Sequence, residues 1–314
     1  MNDGASGKGL ELARALWEAS REELFAGEMS VLAKRAAAGL VGEGSECFGY
    51  DDVTSRDHDW GPGYCVWLAP VDYAAFGQQL QLRYAEIERR GLDGLARPET
   101  RPRRTGVFSI TRFYEQLLKA DMPSTFDDWR SLDETALAAA TNGELFCDGL
   151  GEFTQMRNRL LAYYPEDIRL RKIARGCLVA AQSGQYNLMR QAKRGEELSA
   201  LAALAAFSDA IQQIVFALAR RYKPFYKWSS KMLGELGILG QEARFALDGI
   251  AALWRAGEIE GTTALIEALC AHIAEALAGE GLVDEADPWL VSCAEQVNAR
   301  IDDPAYRATS LFEV

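Results

Sequence analysis

Gly42-Glu43-Gly44-Ser45-Glu46-Cys47-Phe48-Gly49-Tyr50-Asp51-Asp52-Val53-Thr54-Ser55-Arg56-Asp57-His58-Asp59-Trp60 is the stretch on which the reading of this chain turns. Its acids carry the signal. On an extended backbone, the period-two alternation of side chains puts Asp57 and Asp59 on one sheet face and His58 on the other. Two acids so placed can share divalent cations. Phosphoryl and nucleotidyl transfer use that arrangement, because metals about 3.5–4 Å apart neutralise a triphosphate and stabilise the attacking and leaving oxygens. Magnesium suits such a site, since it takes a few carboxylates together with phosphate oxygens and water. The spacing alone is uninformative: Glu86/Glu88, Glu258/Glu260 and Glu285/Asp287 repeat it in helical or loop contexts, where the side chains diverge. The upstream Gly44-Ser45 turn distinguishes Asp57/Asp59, because small residues let backbone N–H groups and a hydroxyl approach a phosphate closely.

Outward from this stretch, residues about 8 to 40 read as helix in two pieces. Leu10, Ala13 and Leu16-Trp17 form one stripe, and Val31, Leu32, Ala36 and Leu40 the next. The segment from about 41 to 75 is rich in glycine and aspartate and carries the strand-like run Tyr64-Cys65-Val66-Trp67-Leu68. A helix is expected from about 73 to 90. It is followed by a loop holding Arg97, Arg101, Arg103 and Arg104, then strands at 106–110 and 143–149. Beyond Tyr163-Tyr164-Pro165 the chain reads as helix almost throughout, near 168–193, 196–221, 240–256, 260–279 and 286–301. Leu201, Leu204, Ala205, Ser208, Ile211 and Val215 read as an ordinary helical core. The expectation is an α+β domain over 1–165 followed by an all-helical domain over 166–314.

Composition bounds the function. The 314-residue chain has a formal net charge of -12 and no dense Lys/Arg run, which disfavours a broad sequence-independent grip on nucleic acid. No basic stretch leads into an apolar core at the N-terminus, and no run of about 18 uninterrupted apolar residues occurs, so the expected location is cytoplasmic, with no membrane partner. Six cysteines stand singly and only two histidines are present, which fits reduced thiols better than a zinc site.

The order Gly-Ser, about a dozen residues, then Asp-x-Asp resembles the signature of the DNA polymerase beta-type nucleotidyltransferase superfamily. Longer segments are similar to DUF4037, a bacterial family of unassigned activity near the aminoglycoside and lincosamide nucleotidyltransferases. They are Ala38-Gly39-Leu40, the run from Gly44 to Gly49, Asp51-Asp52, the run from Ser55 to Pro62, the run from Thr141 to Asp148, Tyr163-Tyr164-Pro165 and the run from Arg221 to Trp228. The resemblance implies a nucleotidyltransferase-type mixed sheet with flanking helices, followed by a C-terminal all-helical bundle domain. It implies that Gly44 and Ser45 hold nucleotide phosphates, that Asp57 and Asp59 hold the metals, and that Lys227 opens a helix facing the nucleotide. Lys227 reads equally well as a solvated lysine in a turn.

Superfamily members usually add a third carboxylate from a later strand. Here Ser109 stands where that acid is sought, and Asp148 and Glu152 are weak substitutes, Asp148 reading better as a strand-end turn. His58 reads as structural, Asp51-Asp52 as a polar turn, and the arginine loop as a solvated face with a minority role on an anionic substrate. Arg56 pairs with Asp51-Asp52 or contacts phosphate; the sequence leaves both open. The expected activity moves an NMP from an NTP, ATP foremost, to a hydroxyl of a small-molecule acceptor with magnesium, in a pocket between the domains where Tyr163, Tyr164, Tyr226 and Trp228 are candidate lining. The alternatives are a non-catalytic nucleotide-binding regulator on the same fold and a nucleotidyltransferase that modifies a protein.

Overall fold

A computed structural model describes residues 8–57, 60–96 and 104–312; the expectations for His58, Asp59, Arg97, Arg101 and Arg103 lie outside the described residues, as do the side chains of Arg56 and Asp57. The described chain divides into two units, Met1–Ala162 and Tyr163–Val314. The first is a mixed α+β unit, and the described part of the second is helical.

In the first unit, helix α1 (Gly9–Leu24) buries Ala13, Leu16, Trp17, Ser20 and Leu24, a stripe at helical spacing. The sequence reading fails on the next segment. Gly27–Lys34 is a 3-10 helix, and Ala37–Leu40 is strand β1, buried at all four positions. Alanine favours helix, but a segment hydrogen-bonded on both sides inside a sheet is decided by its neighbours. Strand β2 (Cys65–Leu68) leads through Pro70, at the start of a helix where its missing N–H costs nothing, into α2 (Pro70–Arg90). Strand β3 (Gly106–Ser109) passes directly into α3 (Ile110–Leu118). Two short helices follow, α4 (Phe126–Ser131) and α5 (Glu134–Thr141), then β4 (Glu144–Asp148) and α6 (Glu152–Leu161).

The four strands form one mixed sheet in the order β3-β2-β1-β4. β1 is antiparallel to β2 and β4, and β2 is parallel to β3. Alternation along β2 places the two halves of the core. Val66 and Leu68, with Tyr64 just before the strand, join Leu16, Trp17, Leu80 and Tyr84. Trp67 faces the other way, its ring 5.2 Å from that of Phe113 and 4.1 Å from that of Phe153. Helices thus cover both faces of the sheet, which is why β2 reads as an unbroken apolar run.

In the second unit, α7 (Glu166–Ala180) runs through a π-helical segment, Ala181–Leu188, into α8 (Met189–Arg194). Then come α9 (Glu197–Leu218), α10 (Tyr226–Leu233), α11 (Gly237–Arg255), α12 (Ile259–Gly279), α13 (Leu290–Ala299) and α14 (Pro304–Ala308). By length and composition α9 and α12 could each cross a membrane. Here α9 buries Phe207, Ile211, Ile214, Val215 and Phe216, and α12 buries Ile266, Leu269 and Ile273. Leu201, read from sequence as core, is 51 % exposed, and Phe207 fills the core in its place.

Candidate functional site

The strand register separates the two ends of the sheet. Gly39 of β1 pairs with Cys65 at the start of β2, so the Gly42–Ser45 turn, which follows β1, lies at the end where β2 begins. The segment carrying Asp57 leads into that same end. β3 aligns Gly106 with Cys65 and Ser109 with Leu68. Ser109 therefore sits at the opposite end of the sheet, and the expectation that it marks the third-carboxylate position is corrected. The sequence shows a strand but not which way it runs beside its neighbour.

The turn is held by Asn142, whose side-chain oxygen accepts from Gly42 N at 3.1 Å and whose amide donates to Gly42 O at 2.7 Å. A Cβ on Gly143 would run into the Leu40 carbonyl oxygen, and Gly143 has φ +67°, so glycine is required there. Arg157 donates to Thr141 O at 2.8 Å and Gly143 O at 3.3 Å. Burial lowers the pKa of Arg157. The Thr141-to-Asp148 segment therefore supports the turn structurally.

Gly44 is buried, and the space a Cβ would occupy is taken by the Glu46 carboxylate, 2.5 Å from the position that Cβ would have. Glu46 is itself 4 % exposed. Ser45 precedes the 3-10 turn Glu46–Phe48, and its carbonyl accepts from Phe48 N and Tyr50 N. Its hydroxyl lies 3.5 Å from Glu46 Oε2. The glycine thus makes room for a carboxylate within the chain, a role that the Gly-Ser spacing does not reveal.

The two aspartates after the turn behave differently. Asp52 forms the polar turn read from sequence: its Oδ1 accepts from Thr54 N, Ser55 N and the Ser55 hydroxyl. That turn winds the chain into the 3-10 segment Thr54–Asp57. The expectation of an extended Asp57–Asp59 strand is corrected at Asp57, because β2 begins only at Cys65, beyond Gly61-Pro62-Gly63. Asp51 Oδ2 accepts from Gly9 N at 2.7 Å and from the Trp60 indole at 3.0 Å, tying the start of α1 to the residue that follows Asp59. Asp51 Oδ1 is buried and without a hydrogen-bond partner. A carboxylate oxygen with no donor, in an oxygen-rich acidic loop, is chemistry that a hard divalent cation accepts. Among the described residues, no three His, Cys, Asp or Glu side chains converge as a metal-binding group.

Asp148 is engaged in capping. It accepts from Gly151 N, Thr154 N and the Thr154 hydroxyl at the start of α6, the strand-end role read from sequence. Glu152 opens the same helix. All six cysteines are free, and burial pushes the Cys177 and Cys270 thiols well up, away from the nucleophilic thiolate. Sequence reasoning passed over Glu46, Trp60 and Asn142; only Asn142, inside Thr141-Asn142-Gly143, carried a recognisable signal.

Within the second unit, two family-like segments meet. The Tyr163 ring stacks on Tyr222 at 4.9 Å and the Tyr164 ring meets Tyr222 edge-on at 5.1 Å, with Lys172 over Tyr164. Tyr163 holds φ +74°, an unfavourable conformation for an aromatic residue, and this packing secures it. Lys227 lies in the first turn of α10, exposed, with its ammonium 4.8 Å from the Trp228 ring centroid. Tyr226 is exposed beside Phe225.

No curated protein and no solved structure matches this chain. Residues 129–229, which include the Asn142 clamp, the tyrosine stack and Lys227, match the model of DUF4037, a domain of unknown function.

Proposed function

We propose that the protein is a nucleotidyltransferase on a polymerase-beta-type sheet with a C-terminal helical bundle, moving an NMP from an NTP, ATP foremost, to a hydroxyl of a small molecule in the cytoplasm. The observation that carries this reading is the orphaned Asp51 Oδ1, buried in the loop that follows the Gly44-Ser45 turn, on a residue whose other oxygen bonds Trp60, the neighbour of Asp59 in the sequence. A buried carboxylate oxygen without a donor calls for a cation.

Asp57 and Asp59 would hold magnesium, which when bound neutralises the triphosphate and favours departure of pyrophosphate. The chain's own part is to hold the Gly42–Ser45 turn rigid through Asn142 and to keep the loop acids in place through Gly9 and Trp60. In the transfer, the acceptor oxygen bonds to the α-phosphorus, the bond from that phosphorus to the α–β bridging oxygen breaks, and the hydroxyl proton passes to water. Lys227, exposed on the first turn of α10, is proposed to contact phosphate as a point charge.

The test is pyrophosphate release with each NTP over a panel of hydroxylated acceptors, comparing wild type with the Asp57→Ala/Asp59→Ala double variant. Loss of several kcal/mol of transition-state stabilisation corresponds to a fall of about a hundredfold or more. Equal release from the two proteins would remove the proposed site.

A second reading, a nucleotide-binding regulator without turnover, draws on Glu46. Its carboxylate occupies the space against Gly44, and Asp148 is taken up in a cap. Magnesium-dependent NTP binding by calorimetry, with no transfer to any small molecule or protein, would favour it.

A further inference from the structure

The parallel strands β2 and β3 each run straight into a helix, β2 into α2 at Pro70 and β3 into α3 at Ile110. Crevices beyond the carboxyl ends of parallel strands are where α/β sheets receive ligands. Here the crevice is a groove of about 630 Å³ lined by Pro70, Tyr73, Gln81, Leu82, Ser109 and Arg112, among others. That is the size range of a small-molecule site. Its Pro70 and Ser109 lie at the opposite end of the sheet from the Gly44-Ser45 turn, and it runs along α2 as far as Gln81 beside Val107.

The groove's polar groups are donors in surplus. Ser109 is 4 % exposed, its hydroxyl caps no backbone N–H of α3, and among the described residues it has no hydrogen-bond partner. The first N–H groups of α3 consequently lack a side-chain acceptor and present the positive end of the helix dipole. Gln81 accepts from Val107 N at 2.8 Å, which fixes its amide and leaves Nε2 buried without an acceptor. Arg112, in the first turn of α3, enters no ion pair among the described residues, and no carboxylate lines the groove. A hydroxyl, a guanidinium and a helix N-terminus lining one groove suit a tetrahedral oxyanion better than a planar carboxylate. The remaining wall, Pro70, the Tyr73 ring and Leu82, is apolar.

We propose that this groove binds a small organic phosphate, its phosphate received by Ser109, Arg112 and the start of α3 and its apolar or aromatic body laid along Tyr73 and Leu82. The site is independent of the nucleotidyl-transfer reading and needs no metal. The test is calorimetric titration of the full-length protein with phenyl phosphate in the presence of EDTA, with inorganic phosphate and benzoate as comparison probes. Phenyl phosphate is expected to saturate one site, more tightly than either comparison probe. Loss of one charge-assisted contact in Arg112→Ala should raise Kd about tenfold, and Ser109→Ala should weaken binding in the same direction. The Asp57→Ala/Asp59→Ala variant should bind as wild type does. Absence of saturable binding, unchanged affinity in Arg112→Ala, equal affinity for benzoate, or loss of binding in the double aspartate variant would each overturn the proposal. If circular dichroism shows that Ser109→Ala does not fold, Arg112→Ala, altered at an exposed side chain, decides alone.

Discussion

The two ends of the four-stranded sheet differ in what they leave unsatisfied. Where β2 begins, the chain folds onto itself: Asn142 clamps Gly42, Glu46 fills the space under Gly44, and Asp51 anchors α1 and Trp60. What remains there is an acceptor, Asp51 Oδ1. Where β2 and β3 end, the groove is open and the remaining groups are donors, on Ser109, Arg112 and α3. Folding satisfies most buried polar groups, so a leftover one indicates the charge sign of what it can receive. By that rule the first end suits a cation and the second an anion, within one small sheet.

The contrast also concerns packing, and glycines probe it. At the first end Gly143 faces the Leu40 carbonyl at φ +67°, so both its conformation and its surroundings forbid a side chain. Gly143→Ala should cost about 3 kcal/mol, the upper range for forcing atoms into packed structure with a strained φ. Urea denaturation measures it. A loss below about 1 kcal/mol would mean that this end yields, and the distinction between a closed end and an open one would fail.

How much of this could be read from the chain depends on whether the deciding force is local. Tyr64-Cys65-Val66-Trp67-Leu68 announced β2 because a short apolar run between turn residues has few other uses, and the long helices of the second unit announced themselves through their period. Ala37–Leu40 did not, because its alanines favour helix and only pairing with β2 and β4 makes it a strand. Asp57 was misread as extended because the Asp52 side chain captures the following N–H groups, which takes only a few local bonds but competes with an equally plausible strand. Ser109 was assigned to the wrong end because strand direction is set by the path of the chain through α2, not by the residues of β3. The polar turn at Asp52 was legible, since it needs only neighbouring residues. What escaped was the division of labour between the two aspartates, which rests on partners as distant in sequence as Gly9.

Asp51 offers a sharper probe of the first end. Its Oδ2 serves two donors, Gly9 N and the Trp60 indole, and removing it leaves both without that acceptor. Asp51→Ala should destabilise the protein by about 2 kcal/mol, combining a lost helix-start acceptor with the loss of the Trp60 indole's bond to Oδ2. Asp51→Asn keeps an oxygen for those donors and should lose much less. Thermal denaturation of both variants, with and without magnesium, separates the two roles of the residue. If the orphaned oxygen receives a cation, added magnesium stabilises wild type more than Asp51→Asn. If the two proteins respond alike, Oδ1 is a tolerated defect and the cation reading of this end is lost.

The smallest expected effect belongs to the other end. Gly77, on α2 in the groove lining, has the Tyr73 ring where its Cβ would go, at 2.7 Å. The obstacle here is a side chain that is only partly buried, not backbone. Gly77→Ala should therefore cost at most about 1 kcal/mol in packing, offset in part by the gain in helix propensity from replacing a mid-helix glycine. The ring has to turn, and in turning it changes the apolar wall of the groove. Near-unchanged stability with altered phenyl phosphate affinity would mark this end as the adaptable one. A stability loss as large as that of Gly143→Ala would show the two ends to be equally rigid, and the open groove would then be a packing irregularity, not a receptive surface.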